Sequence, residues 1–192
     1  MAAIPKRLYT EAEYLELERA ASERHQYVNG EIIAMAGGTP RHARAMNNAG
    51  AAFFNALRQG PCATHSSEQR LRVDETGVYT YADLSVFCGP VAVSVVDRTA
   101  LTNPTVVVEV LSKNTESDDR GWKFAHYRRM ASLRAYVLID PRDLHVEVFV
   151  RMADGRWAMS EAHGDSSIEI PPLEVTLSLP ELFDKVAELD AD

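Results

Sequence analysis

Hydrophobic and polar positions follow two periods along this chain, and the switches between them mark its elements. Thr10 followed three residues later by Glu13 has the form of a capping box, with Tyr14 and Leu17 as an apolar stripe behind it, which predicts a helix over residues 11–21. Residues 24–28 and 31–35 flank Asn29-Gly30, a pair whose positive φ angles suit a tight type I′ turn, so a hairpin is predicted there. After Gly37-Gly38, Thr39 reads as an N-cap and Pro40 as the first residue of a helix. Met46, Gly50, Phe53, Phe54 and Leu57 recur in it at helical spacing until Gly60-Pro61.

Residues 62–73 and 78–88 read as two strands paired around the 74–77 turn. Residues 105–111 are a Val-rich run of the kind buried on both faces of a sheet, interrupted by one charge, Glu109. Asp118 and Asp119 open a helix that runs to Met130 and carries Trp122, His126, Met130 and Leu133 on one side. Residues 135–140 form another buried strand, residues 144–150 pair with it, and short antiparallel strands precede a last helix over 180–189. This order predicts an α/β (mixed α+β) fold, a central mixed β-sheet flanked by helices, with an N-terminal hairpin and C-terminal antiparallel strands. The stretch 105–140 is a βαβ-like unit in which parallel pairing is expected.

Composition narrows the class. With 192 residues, one domain over 1–192 is expected, and 46% hydrophobic with 25% charged residues excludes a disordered or collagenous chain. The longest apolar runs, 32–36 and 135–139, are five residues each, against roughly 18 to 20 for a membrane-spanning helix. Residues 1–10 show no secretory signal. Cys62 and Cys88 form neither a disulfide framework nor a metal-ligand spacing, which points to a reducing, cytoplasmic location with both thiols in the core.

Charge is unevenly spread. The net charge of −8 argues against capture of nucleic acid by the whole surface, but residues 151–192 hold ten acids against three bases and account for most of it. Residues 41–72 hold five arginines and one acid, and residues 113–134 hold six bases and three acids. Such segments are ordinarily solvated faces, so charge alone decides nothing.

Glu109 carries the chemical question. An uncompensated carboxylate buried in that apolar strand would cost several kcal/mol. Asp83 poses the same question in the neighbouring strand, within residues 81–86. Two carboxylates on adjacent strands are reconciled by a shared proton, a basic partner or a divalent cation. A hard cation such as Mg²⁺ takes oxygen ligands and both orients a water nucleophile and neutralises phosphate charge, and a nearby lysine completes such a site. Lys113 and Lys123 lie near in sequence, and Lys123 stands beside the expected buried stripe.

The segments 81–86, 106–112, 118–127 and 135–141, with residues 27–31 and His42, resemble in order and spacing the Uma-type restriction endonuclease family of the PD-(D/E)XK nuclease superfamily. The resemblance implies a restriction-endonuclease-like core, Asp83 and Glu109 as ligands of Mg²⁺ or Mn²⁺, and Lys123 as the lysine of the site. Two positions depart from the superfamily pattern: Leu111 stands where its lysine is expected, and Ala82 where its proline is.

Glu31 and His42 are accessory candidates, Glu31 as a third carboxylate or a turn-flanking surface acid, His42 as a phosphate or proton-transfer group or a capping residue. Arg41, Arg44, Gln69 and Arg70 are candidate nucleic-acid contacts, with ordinary exposed positions as the plain alternative. His65, His126, His145 and His163 show no ligand spacing. The leading expectation is a metal-dependent endonuclease acting on DNA, dimeric if it cuts both strands. The alternatives are a catalytically inactive nuclease-fold binding module and a hydrolase of small phosphoesters. No P-loop, dinucleotide fingerprint, zinc-protease helix or nucleophile elbow is present.

Overall fold

The computed structural model describes residues 7–35 and 37–189, so most of the segment read for a secretory signal lies outside the described residues. The capping box opens α1 (Glu11–Ala20): Glu13 N–H donates to Thr10 Oγ1 at 3.2 Å and Thr10 N–H to Glu13 Oε2 at 2.8 Å. Asn29 (φ 52°) and Gly30 (φ 84°) close the hairpin of β1 (His25–Val28) and β2 (Glu31–Ala34). α2 (Pro40–Leu57) starts at Thr39 and buries Ala45, Ala49, Ala52, Phe53 and Leu57, while Phe54, expected on that face, is 60% exposed. The buried stripe follows the alanines, which let the helix lie close against a sheet.

The two long strands expected over 62–88 are four. β3 (Cys62–Ser66) pairs with β6 (Leu84–Cys88), and β4 (Arg70–Val73) pairs with β5 (Val78–Tyr81), but the two pairs belong to different sheets. The hairpin turns the corner between sheets at residues 67–69 on one arm and at Ala82-Asp83 on the other. β7 (Ala100–Leu101) then pairs in parallel with β4, and β8 (Val106–Val110) enters the second sheet. The expected helix over 118–130 is a broken one: α3 (Glu116–Asp118) and α4 (Phe124–Tyr127) are joined by residues Asp119–Lys123, whose backbone kinks at Gly121. β9 (Ala135–Asp140) pairs in parallel with β8, as expected, and β10 (His145–Arg151) and β11 (Trp157–His163) extend the sheet antiparallel. β12 (Ser167–Ile170) and β13 (Val175–Ser178) form a ribbon, and the last helix is a single turn, α5 (Leu179–Leu182), not a helix over 180–189.

One sheet has the order β2-β1-β5-β4-β7 and the other β11-β10-β9-β8-β6-β3. The period of two in β8 sorts its side chains: Val106, Val108 and Val110 pack with α2, α5 and the ribbon, while Val107 faces Tyr127, Leu133 and Tyr136 on the other side. Glu109 falls on that second side, under the broken helix. No helix among the described residues is long and apolar enough to cross a membrane.

Cys62 and Cys88 correct the reading of two free thiols. The β3–β6 register sets them opposite one another, and they form a disulfide. The sequence separation of 26 gave no local sign of this, and the cysteines therefore offer no support for a reducing compartment. Closing a loop of that length contributes about 3 kcal/mol by constraining the unfolded chain. Reduction is expected to lower the melting temperature by several degrees, about 2–4 °C per kcal/mol, and a melt with and without reductant checks it.

Candidate active site

The site is built where the two sheets meet. At the corner between β5 and β6, Asp83 leaves the strand ladder, so its backbone and carboxylate bond across to the end of β8. Asp83 N–H donates to Glu109 Oε2 at 3.3 Å, and Val110 N–H donates to Asp83 Oδ2 at 2.7 Å. The two carboxylates therefore meet over one backbone step. Asp83 lies in the corner and not within a strand, as the sequence suggested; this is why its side chain faces an open cleft of about 410 Å³ instead of the core.

The broken helix closes the other wall. Asp119, Lys123 and Tyr127, four residues apart, point inward together, whereas Trp122 and His126, expected on the buried stripe, are only half-buried. Lys123 Nζ sits 2.7 Å from Asp119 Oδ1 and 3.3 Å from Glu109 Oε1. Tyr127 O–H donates to Glu109 Oε1 at 2.9 Å and lies 3.1 Å from Thr80 Oγ1, which donates to Gln26 Oε1 at 2.8 Å. From the N-terminus of α2, His42 Nε2 reaches to 3.3 Å from Asp83 Oδ2.

The sequence thus led to Asp83, Glu109, Lys123 and His42, which the structure brings together. It missed Asp119, read only as a helix-opening acid, and it gave Tyr127 no role, although this buried core residue bonds Glu109. The i, i+4, i+8 spacing of Asp119, Lys123 and Tyr127 was the available signal. Glu31 does not line the cleft; it opens β2 opposite Val28. Arg41 donates to the Leu189 carbonyl, and neither it nor Arg44 lines the cleft. Gln69 and Arg70 line a neighbouring depression that shares Tyr81 with the cleft. Arg70 is held 3.0 Å from Asp97 and its side chain is 10% exposed. Gln69 donates to the Arg70 and Thr99 carbonyls.

The electrostatics are those of crowded acids. Burial, with the charges of Asp119 and Asp83, pushes the Glu109 carboxyl up to about 8 despite Lys123. Burial also raises Asp119. Burial disfavours the Lys123 ammonium, but Glu109 and Asp119 outweigh it and hold the amine above its ordinary value. His42 is likewise disfavoured by burial, yet Asp83 and Glu109 raise it. The carboxylates of Asp83 and Glu109 offer oxygen donors that fit a hard divalent cation, whose charge would favour their ionised forms.

A pH dependence follows. Glu109, Asp119 and His42 all titrate higher when folded, so each contributes stability at low pH that is lost as pH rises through its folded value, for Glu109 from 4.5 to about 8. Glu116 and Asp140, lowered by Arg142, contribute in the opposite sense and lose their share only as pH falls below the ordinary carboxylate range. In chelator the melting temperature is expected to peak at mildly acidic pH and to fall toward about pH 8, and Mg²⁺ or Mn²⁺ is expected to flatten the fall. A melt series across pH checks it; a midpoint that climbs from neutral to alkaline pH in chelator would contradict it.

Comparison with known proteins agrees with this architecture. The Uma2 family model, described as "Putative restriction endonuclease", matches residues 11–181. Two Synechocystis proteins, slr1290 and sll1609, are each 30% identical, over 89% and 87% of this chain and 89% and 94% of their own lengths. A crystal structure from Anabaena variabilis, described as "a putative nuclease belonging to DUF820", superposes with a TM-score of 0.74 at 19% identity, covering 92% of this chain and 98% of that one. The fold is restriction-endonuclease-like.

Proposed function

We propose that this chain, which belongs to the Uma2 restriction endonuclease family, is a divalent-cation-dependent endonuclease that hydrolyses DNA phosphodiester bonds. The observation that carries the reading is the meeting of Asp83 and Glu109: a bond from one residue's N–H to the other's carboxylate, beneath a buried lysine. Asp83 and Glu109 would hold Mg²⁺ or Mn²⁺, which when bound polarises the phosphate and lowers the pKa of a water nucleophile.

The chain's own groups divide the remaining work. Lys123, charged well beyond neutral pH and fixed by Asp119 and Glu109, presents its ammonium to negative charge growing on a phosphate oxygen. Asp119 and Tyr127 are positioning residues that hold Lys123 and Glu109 in place. His42, against Asp83, is placed to hold or release a proton at Nε2 near neutral pH. Lys113, exposed at the cleft, is available to the DNA backbone. Cutting both strands of a duplex calls for two such sites, hence a homodimer on DNA.

The test is incubation with supercoiled plasmid, single-stranded DNA and RNA, in Mg²⁺ or Mn²⁺ and in chelator. Nicked and linear plasmid in either metal, absent in chelator, is expected. Cleavage of RNA alone would move the substrate class, and cation-independent DNA binding without cutting would favour an inactive module.

A further inference from the structure

Two histidines without ligand spacing in sequence meet in the sheet. The β10–β11 register sets His145 opposite His163 and Glu147 opposite Glu161, so these four side chains share one face. The imidazoles stack with centroids 4.0 Å apart at 4°. His145 Nε2 is shut off from solvent yet makes no hydrogen bond; the nearest acid is Glu161 Oε2, 3.4 Å away. One donor atom from each of His145, Glu161 and His163 lies within 4.8 Å of the others.

We infer that His145, Glu161 and His163 form a binding site for a borderline transition-metal cation of the Zn²⁺ class. Two imidazole nitrogens and one carboxylate oxygen are a Zn²⁺ donor set, unlike the all-oxygen set at Asp83 and Glu109. Tetrahedral ligands on Zn²⁺ stand about 3.4 Å apart; because the two rings lie face to face, the exposed His163 must turn well out of the stack before both in-plane lone pairs point at one ion. The cation supplies the partner that the sealed Nε2 lacks. On the other side of the ring, His145 Nδ1 lies 3.7 Å from Glu147 Oε1, and Glu147 is held by both arms of Arg120 at 2.6 and 2.8 Å. Glu147, matched by Arg120, remains outside the ligand set. Glu161 and His163 are exposed, which leaves the fourth position to water.

The site stands or falls independently of nuclease activity. The test uses the metal-free full chain, titrated with ZnCl₂ by calorimetry and with Co²⁺ while following its visible absorption. The expected result is a Zn²⁺ equivalent and a tetrahedral Co²⁺ spectrum, each weakened at least about tenfold by His163→Ala and by Glu161→Gln. Both side chains are exposed, so both variants should melt like the unsubstituted protein in chelator. Zn²⁺ held equally tightly by His163→Ala, or a Zn²⁺ equivalent lost instead in Asp83→Asn, would overturn the inference by placing the ion elsewhere.

Discussion

Asp83→Asn is expected to lower cation-dependent DNA cleavage about 10³-fold or more while leaving the fold in place. A catalytic cation contributes several kcal/mol of charge stabilisation, and each 1.36 kcal/mol is tenfold in rate. Asparagine keeps the shape and an acceptor oxygen for the Val110 N–H, 2.7 Å away, so the corner between the sheets should survive. What is lost is the negative charge facing the cleft. The measurement is the rate of plasmid nicking, with cation affinity followed in parallel. A folded Asp83→Asn protein that cuts within tenfold of the original rate would sink the mechanism.

Lys123→Met is expected to be the most damaging substitution for stability. It removes the one ammonium that stands between Glu109 and Asp119 and strands two buried carboxylates, a change that costs about 3–5 kcal/mol. In a chain of this size that is a fall on the order of 10 °C in melting temperature. The loss should be largest at alkaline pH and shrink on acidification, because the carboxylates escape it by taking up protons. Adding Glu109→Gln should return part of the stability without returning cleavage, since the charge most exposed to the loss is then absent. Equal melting of Lys123→Met and the parent at pH 8 would contradict the placement of this lysine.

The elements were largely legible in the sequence because their signals are local. Thr10 and Glu13 cap a helix within one turn, Asn29-Gly30 supplies the two positive φ angles of its own hairpin, and the valines of β8 announce a strand covered on both faces. Glu109 stood out because one charge in such a run needs a partner. Less legible were the features that depend on where distant segments come to rest. Residues 62–88 read as one long pair because nothing local in the chain says that the pair changes sheets at Asp83. Asp119 looked like an ordinary N-terminal acid, since the kink at Gly121 sets which side of that helix faces inward.

What the sequence determined by itself was the kind of pieces, their order, and the two acids for which an apolar setting demanded company. Periodicity and caps act over a few residues, and burying a charge is costly in any fold. Only the tertiary structure decided who keeps that company. Register across neighbouring strands joined Cys62 to Cys88 and His145 to His163. Packing of α2 against the second sheet gave His42 to Asp83, and the loop that leads into β7 spent Arg70 on Asp97. Those pairings are contacts between residues far apart along the chain, fixed by close packing of whole elements, and no short stretch of sequence contains them.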